Sequence, residues 1–180
     1  MAHFYLDESL HETSVGDSLT LSGAEARHAV SVSRLRMGES VLLGNGRGLI
    51  AKVEATAVER DSVALVVRDV ERFAPATSRV TLVQALTKGD RDERAIEAAT
   101  ELGIDDVVPW AASRCVSIWN GSKAERGVGR WGTIVREASK QSIRAFLPEV
   151  HDYMTTEQLL KSIADQLVLV LDPTGAIATE

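Results

Sequence analysis

Residues 84–103, QALTKGDRDERAIEAATELG, join an apolar run to a charged helical pattern, with Lys88 at the junction and Asp90, Arg91 and Arg94 close by. Open α/β sheets hold their ligands at such strand-to-helix junctions. An ammonium there meets a phosphate or polarises a base carbonyl; the plainer alternative is a loop lysine that only faces water. Gln84, inside the apolar run, needs a hydrogen-bond partner if buried, so it reads as a structural or binding residue. A second polar set, Glu137, Gln141 and Arg144, stands at i, i+4 and i+7 of a helical pattern over 131–144. The other face of that pattern is Trp131, Ile134, Val135, Ala138 and Ser142, spaced to meet a core. The polar stripe either binds phosphate or a base edge, or is solvated surface with a helix ion pair.

Other chemistries find little support. Gly44, Gly46 and Gly48 resemble a phosphate-cradling loop, but the pattern after them continues as a strand rather than a helix, which predicts a hairpin turn. His3, His11, His28 and His151 show no metal-ligand spacing, and no metal is expected. His28 reads first as a capping or packing residue. Cys115 stands alone, which excludes an intrachain disulfide and a cysteine zinc cluster and fits a small buried apolar group.

These residues need elements to hold them. Through residue 73 the chain reads mainly as short strands at 41–43, 49–55 and 62–70, with turns at 44–48 and 59–61. Ser22 and Glu25 have capping-box spacing and predict one inserted helix, with His28 and Arg34 on it or just beyond. A small, partly closed barrel over 1–73 is expected. Residues 74–79 form a linker carrying Pro75, after which 80–180 change grammar. Residues 80–86 and 106–110 read as parallel strands, the first buried on both faces, the second limited by Pro109; Asp90 with Glu93, Ser122 with Glu125, and Thr155 with Gln158 open helices. Residues 167–171 (LVLVL) read as a third buried strand, and Asp172 to Glu180 as a loop or helix leading to no further strand.

The chain has 180 residues, 44% hydrophobic and 26% charged, as an ordinary globular protein does. No apolar run approaches the ~20 residues of a membrane span, and the N-terminus lacks the pattern of a signal peptide, so a cytoplasmic protein without membrane contact is expected. A net charge of −6 argues against indiscriminate coating of nucleic acid. Between Arg114 and Arg144, however, seven basic residues face two acidic ones, a local +5. That stretch reads either as a solvated helix face or as a phosphate-facing one.

Taken together, residues 28–39 (HAVSVSRLRMGE), 84–88 (QALTK), 97–103 (EAATELG), Pro109, Ser113 with Arg114, Arg130 with Trp131, and 137–144 (EASKQSIR) with Pro148 resemble the RsmE family. These are bacterial methyltransferases of the SPOUT superfamily that methylate N3 of a uridine in 16S ribosomal RNA. The resemblance runs from about Phe4 to Leu171. It implies a PUA-like RNA-binding barrel over 1–73 followed by the N-terminal part of a parallel α/β SPOUT domain over 80–180, whose later part knots, binds S-adenosylmethionine and dimerises. It implies RNA contacts for Arg34, Arg36, Lys88, Arg91, Arg114, Arg136 and Arg144, and supporting roles for His28, Gln84, Glu101, Glu137 and Gln141; no catalytic base is assigned. Methyl transfer places the methyl carbon in line with N3 and requires the N–H to be deprotonated or polarised, with proximity supplying much of the acceleration. The family's G-P-E-G-G loop and L-G-x-x-I-L-R-x-E-T-A block, which wrap the cofactor, have no counterpart in these 180 residues. The cofactor-binding residues are accordingly expected mostly beyond Glu180. The 180-residue chain is therefore expected to bind S-adenosylmethionine weakly or not at all and to be inactive alone. The alternative is a non-catalytic RNA-binding module that has lost the knotted cofactor site.

Overall fold

The computed structural model describes residues 3–171. Its first sheet has five strands, β1 (Phe4–Leu6), β2 (Ser18–Ser22), β3 (Ser40–Gly44), β4 (Leu49–Val58) and β5 (Ser62–Arg72), in the spatial order β1-β3-β4-β5-β2. Only β1 runs parallel to its neighbour; the other pairs are antiparallel. The alternation of Val63, Leu65 and Val67, all buried, against less buried neighbours sends one face of β5 into a core with Leu21, Leu43, Val53 and Tyr5. The turns at 44–48 and 59–61 connect β3 to β4 and β4 to β5, as the glycine and charged residues there predict. Register shifts between Lys52 and Val53 and between Ala55 and Ala57 increase the twist of the ribbon, which curls this sheet into a half-barrel.

Helix α1 (Gly23–Arg27) fills the predicted interruption and passes directly into a π-helical turn, His28–Val32. Ser22 is its N-cap residue but its side chain makes no cap bond, so the expected capping box does not form. Glu25 is drawn instead to cations on a distant helix.

The second sheet is parallel throughout. Strand β7 (Asp106–Ala111) lies at its centre, with β6 (Thr81–Ala85) on one side and two short strands, β8 (Glu149–Val150) and β9 (Met154–Thr155), on the other. Pro109 is tolerated in a central strand because of that division. The Val107 carbonyl accepts the His151 N–H at 2.9 Å on the β8 side, so alternation turns position 109 toward the same side, where β8 has ended and β9 has not begun. Helices α2 (Arg91–Leu102) and α3 (Ser122–Gln141) pack together over the sheet, burying Ile96, Trp131 and Val135. Helix α4 (Thr156–Ser162) starts with the predicted capping box of Thr155 and Gln158.

Four expectations fail here. Asp90 occupies the N-cap position of α2, but its side chain makes no cap bond and pairs with Arg94 instead. Strand β6 is only partly buried, because among the described residues its outer edge has no partner. Helix α3 begins at Ser122, with Gly121 rather than Ser122 in the N-cap position. Residues 167–171 form no strand: Leu167 and Leu171 are 90% and 94% exposed. No described strand pairs with this apolar run, and the outer edge of β6 stays open among the described residues. The expectation of a loop or helix from Asp172 to Glu180 lies outside the described residues.

The two sheets meet along a seam. The β3–β4 turn lies against residues 145–147, with Gly48 N–H donating to Ala145 O at 2.8 Å and Leu147 N–H to Gly46 O at 2.9 Å. At Gly48, whose φ is +98°, a Cβ would sit 2.6 Å from the Phe146 ring, so only glycine fits. Phe4, Leu6 and Ile50 bury themselves in the same seam beside Ala145 and Leu147.

Candidate RNA-facing site

The carboxyl ends of β6 and β7 carry the loop that holds Lys88, and local hydrogen bonds brace it. Thr87 N–H donates to Asp92 Oδ2 and Asp92 N–H donates to Thr87 Oγ1, each at 3.1 Å. Ser117 Oγ donates to the Thr87 carbonyl at 2.8 Å. Asp92 is buried, and its other oxygen accepts the Glu93 N–H at 3.0 Å. Its charge is thus satisfied by backbone amides, which is how a buried carboxylate is tolerated. The reciprocal Thr87–Asp92 pair closes the loop at its base and leaves Lys88, Gly89, Asp90 and Arg91 exposed. Asp90 pairs with Arg94 at 2.9 Å. Arg130 of α3 pairs with Glu93, fixing α2 to α3 behind the loop.

The neighbouring loop, 112–121, presents Arg114 and is anchored by Trp119. The Trp119 ring lies edge-on to buried Trp131, 5.2 Å between centroids, and 5.6 Å from Tyr153. It also covers Gly127, where a Cβ would come within 2.6 Å of the indole. Cys115 packs partly against this core, as expected of a small apolar group.

In the first half of the chain the π-helical turn leads to the second group of cations. Leu35 is buried and its N–H donates to Ala29 O at 2.9 Å, so Arg34 and Arg36 on either side point outward. Arg34 adopts a left-handed φ of 56°. A non-glycine residue in that conformation is held by its surroundings, and such residues gather at functional sites. His28 sits beneath, its ring edge-on to Tyr5 at 6.0 Å, in a packing role.

Among the described residues Arg34, Arg36, Lys88, Arg91 and Arg114 are exposed and make no ion pair. Arg136 and Arg144 are different, and the structure turns both inward. Arg136 pairs with Glu8 and Glu25 and donates to Leu6 O at 2.8 Å. Arg144 donates to Thr100 O at 3.0 Å and to Ile104 O, closing the carboxyl end of α2; burial lowers its pKa below the ordinary arginine value. The stripe of Glu137, Gln141 and Arg144 does not exist as predicted. Helix α3 stops at Gln141, and Ile143, at φ 53°, reverses the chain before Arg144. Glu137 pairs with Lys140 at 3.3 Å, while Gln141 and Glu101 are exposed. Gln84 Nε2 is satisfied by Ala85 O at 2.8 Å. Sequence reasoning passed over Asp92, Ser117 and Trp119; only the in-helix Gly127, opposite the indole, hinted at the last of them.

At the amino ends of the strands the arrangement is structural. Arg79 grips Asp106 through both oxygens, at 2.6 and 3.0 Å, and His151 Nε2 lies 3.1 Å away. Burial pushes the Asp106 carboxyl up, but the bonds from Arg79 and His151 outweigh it and hold it below the ordinary value of 3.8. With Glu149 these residues cluster closely enough for a metal, yet Arg79 already neutralises the carboxylate a cation would need. A depression of about 360 Å³ at the same end is lined by Phe73, Ser78, Val80, Asp105, Arg144 and Phe146; its carboxylate, Asp105, already accepts the Val80 N–H at 2.8 Å.

Residues 74–180 match the RNA methyltransferase domain family and residues 21–68 the RNA methyltransferase PUA domain. Over 164 residues, 91% of this chain, the sequence is 37% identical to ribosomal RNA small subunit methyltransferase E of Mycobacterium bovis. The chain belongs to the ribosomal RNA small subunit methyltransferase E family. It spans 62% of the length of that mycobacterial relative. Among solved structures, a methyltransferase E of Neisseria gonorrhoeae bound to S-adenosyl methionine superposes with a TM-score of 0.78 at 24% identity, covering 89% of this chain and 65% of that one. A putative methyltransferase of Legionella pneumophila in complex with bound cofactor SAM gives 0.84 at 24% identity, covering 97% and 72%. Both share the fold, a PUA-like first half and a parallel α/β second half.

The described residues of this methyltransferase E family member do not form a cradle for S-adenosylmethionine. Asp92, the buried acid at the carboxyl end of the sheet, is fully used by amides. The buried polar atoms left without partners, on Tyr5, Glu25, Thr100 and Ser139, belong to helix and sheet packing rather than to the Lys88 loop. The expectation that cofactor-binding residues lie mostly beyond Glu180 concerns sequence outside the described residues.

Proposed function

We propose that this chain is the RNA-gripping part of an S-adenosylmethionine-dependent methyltransferase acting on N3 of a uridine in 16S ribosomal RNA. On this reading 1–73 grip RNA as the barrel, 74–79 connect, and 80–180 carry the substrate side of the methyltransferase unit. The observation that carries it is the state of the cations: Arg34, Arg36, Lys88, Arg91 and Arg114, like other exposed cations such as Lys123, make no ion pair among the described residues, whereas Arg136, Lys140 and Arg144 are held inside the fold by carboxylates and carbonyls. Braced, outward cations bind phosphate without first breaking internal pairs. The cofactor-wrapping motifs are absent from these residues. The 180-residue chain is accordingly expected to bind small-subunit ribosomal RNA but to show no micromolar affinity for S-adenosylmethionine by calorimetry, and to be inactive alone; dimerisation belongs to a longer protein. Absence of salt-sensitive RNA binding in a filter assay would reject the reading. Micromolar cofactor binding would reject the assignment of the cofactor site to other sequence.

A further inference from the structure

The seam between the two halves is close to a single line. The 44–48 turn meets residues 145–147 there through backbone bonds and a Phe4–Leu6–Ile50 contact. One line of contact fixes position but leaves rotation about itself soft. A second set of contacts, made by α3, starts at the Leu6 carbonyl of that seam and extends away from it to Glu8 and to Glu25 on α1. Arg136 reaches Glu8, Leu6 O and, at 3.3 Å, Glu25; Lys140, 8% exposed, reaches the same Glu25 oxygen at 3.2 Å. The other Glu25 oxygen is buried without a partner, so this carboxylate depends wholly on the two α3 cations. Glu25 lies on α1, which runs straight into the π-helical turn and then Arg34 and Arg36. Further toward its amino end, α3 holds Glu93 of α2 through Arg130, directly behind Lys88 and Arg91.

We propose that Glu25, Arg136 and Lys140 form an angular stop: they set the rotation of the barrel about the seam and thereby the span between the Arg34/Arg36 cations and the Lys88/Arg91/Arg114 cations. These are positioning residues that need not touch RNA. The proposal rests on the RNA reading above for its consequence, though the stop itself does not. Two weak sites held at a fixed span bind a polymer that reaches both far more tightly than either alone, and softening the joint lowers the effective concentration of the second contact. The loss therefore depends on RNA length.

The test uses the 180-residue chain with Glu25→Gln and Arg136→Gln, and with Arg136→Lys as the variant that keeps the charge. Labelled oligouridylates of about 6 nucleotides, one site's worth, and of about 30 are titrated. The expected result is a roughly tenfold weaker binding of the long oligomer with less than a twofold change for the short one, and recovery of most of the loss in Arg136→Lys. In parallel, spin labels at Glu59→Cys and Glu101→Cys, both exposed positions, in a Cys115→Ser background report the angle directly. The stop predicts one narrow distance in the parent and a broadened distribution in the glutamine variants. Equal losses for both oligomers, no loss, or an unbroadened distribution would overturn it. A parent that binds neither oligomer removes the RNA reading instead, and the distance distribution alone then decides the stop. If Glu25→Gln does not fold, the comparison of Arg136→Gln with Arg136→Lys carries the same outcomes.

Discussion

Replacing Arg144 by alanine separates a structural arginine from an RNA-binding one. Its guanidinium donates to the carbonyls of Thr100 and Ile104 at the end of α2. Hydrogen bonds from a charged donor are worth ~1.5–3 kcal/mol each. The two losses are unequal. The Thr100 carbonyl keeps the Gly103 N–H at 3.1 Å, whereas for the Ile104 carbonyl Arg144 supplies the only donor among the described residues. Counting one bond in full and a fraction of the second, and allowing for water that reaches a half-buried site, gives a loss of about 2 kcal/mol. For a chain of this size 1 kcal/mol moves the melting temperature by ~2–4 °C, so Arg144→Ala should melt about 4–8 °C lower. Arg144→Lys, with a point charge in place of the planar fork, should fall between the two. Calorimetry and urea melts measure the loss, and a filter-binding titration at fixed salt should find RNA affinity within twofold of the parent. An unchanged melting temperature with a tenfold loss of RNA affinity would refute this reasoning and return Arg144 to the substrate.

Asp106 has a pKa held below its ordinary 3.8, so its ionised form contributes stability that is complete above that value and lost as pH falls through the lowered one. Asp106→Asn should therefore lower the urea midpoint at neutral pH and flatten its decline below about pH 4; a parent and a variant with parallel pH profiles would contradict the Arg79–Asp106–His151 arrangement as its cause. Single neutral substitutions of Arg34, Arg36, Lys88, Arg91 and Arg114 should weaken RNA binding while leaving the melting temperature within about 2 °C, because exposed, unpaired side chains contribute little to folding. A melting loss comparable to that of Arg144→Ala would place the residue inside the fold instead.

What the sequence made legible was whatever depends on near neighbours. The hairpin turn at 44–48, the helix following residue 90, and the Thr155–Gln158 cap are set by residues a few positions apart. Two failures are local, since Gly121 takes the N-cap place of Ser122 and Asp90 pairs with Arg94 instead of capping α2, but the others involve partners far along the chain. Ser22 and Glu25 have the spacing of a capping box, but Glu25 is claimed by Arg136 and Lys140, more than a hundred residues later. Arg144 fell on a helical stripe only while the helix was assumed to continue, and the reversal at Ile143 is set by packing that periodicity does not encode. Strands β8 and β9, two residues each, are too short to carry a pattern, while the much clearer LVLVL run has no ladder. Apolarity predicts burial, and burial needs a partner in place.

The basic stretch from Arg114 to Arg144 shows the same point in charge. Its local +5 suggested a phosphate-facing surface, yet Arg130, Arg136 and Lys140 are paired with Glu93, Glu8, Glu25 and Glu137, and Arg144 with carbonyls. Of the stretch's seven cations Arg114 and Lys123 remain outside such contacts among the described residues, while Arg126 donates only to the Ser122 carbonyl of its own helix at 3.2 Å. On the proposed function, an acidic chain of −6 meets RNA through a few loops rather than a basic face. With a Debye length of about 8 Å at physiological salt, the distant acidic surface is screened while a cation in contact with phosphate is not. Each phosphate neutralised on a single strand contributes about −0.7 to the slope of log affinity against log salt. The five proposed contacts predict a slope of about −3.5, and all seven first suggested by the sequence would give about −5. A salt titration that returns the steeper value would mean that further cations reach RNA, either exposed ones such as Lys123 and Arg126 or Arg136 and Arg144 released from their internal partners. Only loss of the extra slope on substituting Arg136 would show that the angular stop opens when RNA binds.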